Sequence, residues 1–265
     1  MKRAYVDVPE GQIHYQYEGN TGDAVICLHQ GPLSSNEFSR LLPILGAKYR
    51  AIALDTLGYG KSDKVPPTYE VPDYAKSVFN VMKALDIPKA SLIGSKMGAT
   101  IAVDMAITQP GKVDKLVLHG LPGFDAETRQ KCINSWRYSN KFTEIAVDGT
   151  HLLKIWEREK RWGKTAPPEL WQMAVIDALT AGREAYQGYQ AMFRYPEEAA
   201  LPKIKAPTLL VTGPEDIFGQ FAPSFQKLIP RSKIASIEKM EGLVFVMMPD
   251  VVGKIVMDFL ANPGV

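Results

Sequence analysis

This chain of 265 residues lacks most of the features that would mark a special environment, and each shortage narrows what it can be. It has only two cysteines, Cys27 and Cys132, too few for a disulfide framework and without metal-site spacing. Cys27 falls in the apolar run AVICLH, where a thiol behaves as a small hydrophobe. An excess of one charge is missing too: 31 Lys and Arg oppose 29 Asp and Glu. Without a concentrated basic stripe, no nucleic-acid partner is expected. The densest basic stretch, KIWEREKRWGK at 154–164, is broken by Glu157 and Glu159 and reads as the solvated face of a helix. No apolar run approaches the roughly 20 residues that cross a bilayer. The opening MKRAYVDVPEGQIHY also lacks an apolar signal core, so a cytoplasmic protein without a membrane partner is expected. Histidine is scarce, at positions 14, 29, 119 and 151. The segment after 151 therefore offers no imidazole.

What is present is an alternation. AVICLH (24–29), YRAIALD (49–55), ASLIGS (90–95), KLVLHGL (115–121) and TLLVTG (208–213) each read as a buried strand. Helical periods cover 36–47, 71–85, 97–109 and 219–229. The pattern predicts an α/β fold, a mainly parallel, doubly wound sheet with helices on both faces. Residues 4–19 add an antiparallel hairpin turned at Glu10-Gly11. Residues 123–200 break the rhythm with helical periods only, and all four tryptophans lie there. The expected division is a core of 1–122 and 201–265 with a helical cap, or lid, at 123–200. Trp136 and Trp156 are candidates for the wall of an apolar pocket beneath it.

Ligands of such sheets bind at the carboxyl ends of the strands. The sharpest strand end is GSKMG at 94–98, a glycine-flanked turn between strand and helix with Lys96 at its centre. The setting is that of a nucleophile elbow. Other pieces agree: ICLHQGPLSSNEF, the run Asp55, Gly58, Gly60, Ser62 in RAIALDTLGYGKSD, APTLLVTGPEDIFG carrying Asp216, and the closing MPDVVGKIVMDFL. In order and spacing the chain resembles the α/β-hydrolase superfamily over nearly its whole length, and most of all its cap-bearing, small-molecule branch. The resemblance implies an oxyanion site made by the His29 loop and the Met97 N–H, an acid at Asp216, and no cofactor or metal. It is also compatible with a homodimer.

Three positions depart from the family pattern. Lys96 stands where the nucleophile belongs, with Ser95 one place early. Leu243, in KMEGLVFVMMPD, stands where the resemblance puts the catalytic histidine. Gln30 replaces the glycine after His29. A serine needs a base, and a base an orienting acid, so Ser-His-Asp hydrolysis is excluded. A buried amine loses proton affinity and can then attack a carbonyl or act as a base. Held charged by Asp216, the same lysine would anchor a carboxylate or enolate. The expected catalytic residues are Lys96, Asp216 and His119, a strand-end histidine able to replace the missing acid/base. Gln30, Gly31, Met97, Phe38, Ser95 and Leu243 are expected around the substrate. The reading is a cofactor-independent enzyme acting on a small apolar carbonyl or carboxylate compound by lyase, decarboxylase, isomerase or cyclase chemistry. A catalytically dead small-molecule binding protein is one alternative, and a hydrolase using directly activated water is another.

Overall fold

The computed structural model describes residues 1–66, 68–135, 138–139 and 144–265, the Trp162 side chain excepted. Strands β1 (Lys2–Val8) and β2 (Gly11–Glu18) form the antiparallel hairpin. Its register sets Val8 opposite Gly11, so Pro9 and Glu10 make the turn, one residue earlier than the sequence suggested. There follow β3 (Ala24–Leu28), β4 (Arg50–Leu54), β5 (Ala90–Ser95), β6 (Val113–His119), β7 (Thr208–Thr212) and β8 (Ser232–Ser236). The sheet order is β1-β2-β4-β3-β5-β6-β7-β8; β2 pairs antiparallel with both β1 and β4, and every neighbouring pair from β4 across to β8 is parallel. Strand β8 was not expected from the sequence. SKIAS is a half-exposed edge strand and lacks the continuous apolar run of the central ones.

The helices are α1 (Leu42–Gly46), α2 (Val71–Ala84), α3 (Met97–Thr108), α4 (Ala126–Asn134), α5 (Thr150–Glu159), α6 (Pro168–Ala181), α7 (Gln187–Arg194), α8 (Glu197–Ala200), α9 (Ala222–Leu228), α10 (Val244–Met247) and α11 (Pro249–Ala261). The helical period over 36–47 splits into a 3₁₀ turn, Ser35–Phe38, and α1. Pro43 lies in the first turn of α1, and having no N–H it cannot extend a ladder from upstream. Alternate residues of β3 face opposite cores: Ile26 and Leu28 join one cluster, Val25 and Cys27 the other. Helix α3 is largely apolar and buried from Met97 to Ala106, as a helix covered by neighbours on every face must be. Among the described residues no helix is long and apolar enough to cross a membrane.

Between β6 and β7 the elements from α4 to α8 form a helical insert. It docks on α3 through a buried acid. Thr100 Oγ1 donates to Glu197 Oε1 at 2.5 Å, while Glu197 Oε2 accepts no bond among the described residues. Burial pushes this carboxyl up to about 8. The folded chain therefore holds a proton that the unfolded chain has released, and stability falls as pH rises between about 4.5 and 8. Glu197→Gln, which mimics the protonated acid, is expected to equal the parent at pH 5 and exceed it by on the order of 3 kcal/mol at pH 9. Urea denaturation at the two pH values reads this directly, and identical pH dependence in both proteins would refute the buried acid.

Candidate active site

Three strand ends and two loops meet at the carboxyl edge of the sheet. Lys96, between β5 and α3, has φ +47° and ψ −106°, a backbone state that a side-chain-bearing residue holds only under constraint. The constraint is the close approach of helix to strand. A Cβ on Gly94 would lie 2.5 Å from Ala99 Cα, and one on Gly98 would lie 2.0 Å from Leu28 O. Gly98→Ala is thus expected to cost at least about 3 kcal/mol by overpacking against backbone, visible as loss of folded protein or a much lower denaturation midpoint.

The Lys96 side chain is fully buried and runs past Gly120, where a Cβ would sit 2.8 Å from Lys96 Cγ. Its Nζ donates to Gln30 Oε1 at 2.7 Å and to Gly242 O at 3.0 Å, and lies 6.0 Å from the centre of the Phe218 ring. Gln30 is itself fixed. Its Nε2 donates to Glu37 Oε1 and Gly242 O, both at 3.0 Å, and its backbone N–H to Glu37 Oε2 at 2.9 Å. Both amide hydrogens are therefore committed within the protein, and Gln30 holds the lysine rather than offering a donor to a ligand. Burial lowers the proton affinity of Lys96, while the carboxylates of Asp216, Glu37 and Glu159 act against it.

Asp216, in the loop after β7, faces His119. Its Oδ2 is 3.2 Å from His119 Nε2, an ion-pair distance without the alignment of a hydrogen bond. His119 Nδ1 in turn lies 3.2 Å from Ser95 Oγ. The partners assign the tautomer, with Nε2–H toward Asp216 and Nδ1 accepting from Ser95. Burial opposes ionisation of Asp216, but His119, Lys96 and the Phe218 N–H outweigh it and hold the carboxyl at about 2. Lys96 and Asp216, expected as partners, thus act on each other through space, each having its direct bonds elsewhere.

The remaining expectations divide. Gly31 lies under Tyr189 and Tyr59, 3.4 Å from the position a Cβ would take. Tyr59 stitches the insert down, its OH donating to Ala185 O at 3.2 Å and accepting from Gly188 N at 2.9 Å. Met97 lies beneath Gly188, with its side chain occupying the space a Cβ there would need. The Met97 N–H belongs to the first turn of α3, whose amides have no partner within the helix. Leu243 is buried close under Gly163. Trp136 lies outside the described residues.

Two expectations are corrected. Phe38 packs on Phe245, ring centres 5.0 Å apart, in the core cluster of Val25 and Cys27. It faces apolar core because its 3₁₀ turn lies on that side of the sheet. Trp156 stands edge-on to Trp171 at 5.8 Å, and Trp171 Nε1 donates to Gly163 O at 2.7 Å. Trp156 therefore serves packing within the insert and does not line the cleft beside Asp216.

That cleft, about 240 Å³, lies between Arg161 and Lys164 of the insert and Asp216, Ile217, Glu241 and Gly242 of the sheet edge. Its lining is charged rather than aromatic. The stretch 154–164, expected to be solvated, turns Arg158 and Glu159 inward, 3% and 1% exposed and paired with each other. Arg158 lies 5.6 Å over the Tyr189 ring. Alternating charges carry no signal for which of them a tertiary contact will bury. Glu37 has no sequence mark either, beyond its proximity to the His29 loop. His29 is a strut: Nε2 accepts from Thr56 N at 3.0 Å, so Nδ1–H donates to Gln30 O at 2.9 Å. Among the described residues no group of three or more His, Cys, Asp or Glu is placed to hold a metal ion.

A family model described as the alpha/beta hydrolase fold matches residues 23–236. The chain belongs to the α/β-hydrolase family. Among curated members, the 2-hydroxy-6-oxononadienedioate/2-hydroxy-6-oxononatrienedioate hydrolase of Paraburkholderia xenovorans is 30% identical over 81% of this chain and 79% of its own length. Its counterpart in Burkholderia vietnamiensis is 35% identical over the same shares. Among solved α/β-hydrolases, the enol-lactonase of Burkholderia xenovorans superposes with a TM-score of 0.85 over 98% of this chain and 100% of the other, at 19% identity, a likeness of fold.

Proposed function

We propose that this α/β-hydrolase-family member is a cofactor-independent enzyme acting on a small carbonyl compound that carries a carboxylate, with Lys96 in place of an acyl-forming serine and the helical insert as a cap. The observation that carries the reading is the strained elbow, which holds an amine, its proton affinity lowered by burial, at the place where this fold presents its nucleophile. The Asp216–Gly242 cleft beside it supplies a substrate space, and Arg161 and Lys164 at its edge suit a carboxylate. The relatives' printed names describe oxo acids with two carboxylates, which is compatible chemistry.

In this mechanism the neutral amine adds to the substrate carbonyl carbon, and proton transfers followed by loss of water give an iminium. The iminium accepts the electron pair released when a neighbouring C–C or C–H bond breaks. The Met97 N–H stabilises the carbonyl oxygen as negative charge develops on it. The resulting enamine takes up a proton at carbon to give an iminium again, and water hydrolyses that iminium, releasing the carbonyl product and restoring Lys96. The His119–Asp216 pair would move the protons. Lyase, decarboxylase, isomerase and cyclase outcomes share these steps.

Borohydride trapping with a panel of 2-oxo and 6-oxo carboxylic acids tests the proposal. A mass increment on the Lys96 peptide is expected, and turnover of a panel compound with no increment overturns it. A second reading, hydrolysis by a directly activated water, is favoured by the His119–Asp216 pair and by the hydrolase names of the relatives. It predicts turnover that survives removal of the amine and is lost in His119→Gln.

A further inference from the structure

A second polar cleft lies where α6 meets the loop after β3, and it shares no lining residue with the Asp216 cleft. It measures about 190 Å³. Gln16, Asn36 and Asp177 face it together with His14 and Asp55, and Arg3 and Lys61 stand exposed at its edge. Most of these groups satisfy one another. Asp55 accepts from His14 Nδ1 at 2.8 Å, from Ser35 N at 2.7 Å and from Lys61 N at 2.8 Å. Its carboxyl is held at about 2 by those bonds, against its burial.

Two groups are left over, and they are neighbours. Gln16 is 3% exposed, and its Nε2 donates to Ser35 Oγ and Asn36 Oδ1, both at 2.9 Å. Its Oε1 is buried and accepts no bond among the described residues. The amide orientation follows from the network. Asn36 Nδ2 is spent on Asp177 Oδ1 at 3.0 Å, so Asn36 presents an oxygen that only an NH₂ can meet. Asp177, 4% exposed on α6, accepts from that Asn36 amide and from Ser34 Oγ at 2.8 Å. Among the described residues it makes no ion pair, and burial with the nearby Asp55 charge pushes its carboxyl up to about 7. A buried oxygen without a donor and a buried carboxylate without a counter-ion, one asparagine side chain apart, are both completed by a cationic N–H donor.

We propose that this seam cleft binds a small amino acid with a primary ammonium on a short chain, its ammonium between Gln16 Oε1 and Asp177 and its carboxylate toward Arg3 and Lys61. The ligand would tie α6 to the Ser34–Asn36 segment, next to Glu37, which holds Gln30 and through it Lys96. The binding itself is independent of any chemistry at Lys96.

Calorimetric titration of the whole chain with β-alanine at pH 8 tests this, with propionate as the carboxylate-only control. One site per chain is expected, with amide shifts by NMR at Ser35 and Asn36 and weaker binding at pH 5.5, where Asp177 is protonated. Asp177→Asn keeps the Asn36 and Ser34 contacts and should fold, yet weaken β-alanine by about tenfold or more through loss of the charge. Gln16→Leu should weaken it as well, with the melting temperature of each variant confirming a folded chain. Propionate binding as tightly as β-alanine, β-alanine affinity unchanged in Asp177→Asn, or no β-alanine binding at millimolar concentration each overturns the proposal.

Discussion

Lys96→Ala is expected to lower kcat on any carbonyl substrate by at least about 10³-fold and to abolish borohydride trapping, since the proposed nucleophile and its proton transfers are lost together. Lys96→Arg is expected to fail as completely. A guanidinium keeps the positive charge among Glu37, Asp216 and Glu159 but cannot become a neutral nucleophile. That pair of variants separates the readings. If the lysine only anchored a substrate carboxylate, Arg would retain much of the activity. If it only filled a dead site, the parent itself would turn over no panel compound, and the two changes would be read in stability alone. In the parent, kcat is expected to rise with pH through an ionisation below the ordinary lysine value, because burial favours the neutral amine. Full activity in Lys96→Arg would sink the amine mechanism.

Lys96→Ser combined with Leu243→His is expected to create esterase activity on p-nitrophenyl acetate, at least about 10²-fold above either single variant, since serine and base act as one unit. The elbow backbone needed by a serine is already in place at φ +47°, ψ −106°. Leu243 follows Gly242, which lines the cleft with Asp216 and whose carbonyl lies 3.0 Å from Lys96 Nζ. In the parent chain, against burial, the His119 and Lys96 charges hold the Asp216 carboxyl at about 2, and His119 still favours its ionised form when Lys96 is replaced. Adding Asp216→Asn should remove the gained activity. A folded double variant no more active than the singles would mean that the interior has closed around the lysine, with His119 holding the acid that the new histidine requires.

Much of this architecture is legible in the sequence. The buried parallel strands announce themselves as continuous apolar runs because both of their faces are covered. The glycines flanking Lys96 announce close backbone approach, as the 2.0 Å gap between a Gly98 Cβ and Leu28 O confirms. Asp216 and His119 stand out in the sequence as strand-end residues, and the fold brings them within 3.2 Å of each other. Other residues were misplaced for a common reason. Trp156, Phe38 and the pair Arg158–Glu159 sit in stretches whose composition suits either of two environments. An aromatic can wall a pocket or pack on another aromatic, and a charge on an amphipathic helix can face water or the interior. Only the partner across the interface settles which.

The sequence by itself determined the sheet and the glycine-flanked elbow, because these depend on residue type at local spacing. Tertiary structure decided what surrounds Lys96. Gln30 and Glu37 share the loop after β3, while Gly242 and Glu159 come from two distant segments, and nothing local marks Gly242 or Glu159 as a neighbour of the lysine. Charge and hydrogen bonding act across space, so the surroundings of this amine exist only once the loop after β3, the loop near Gly242, the loop after β7 and the insert have come together at the sheet edge.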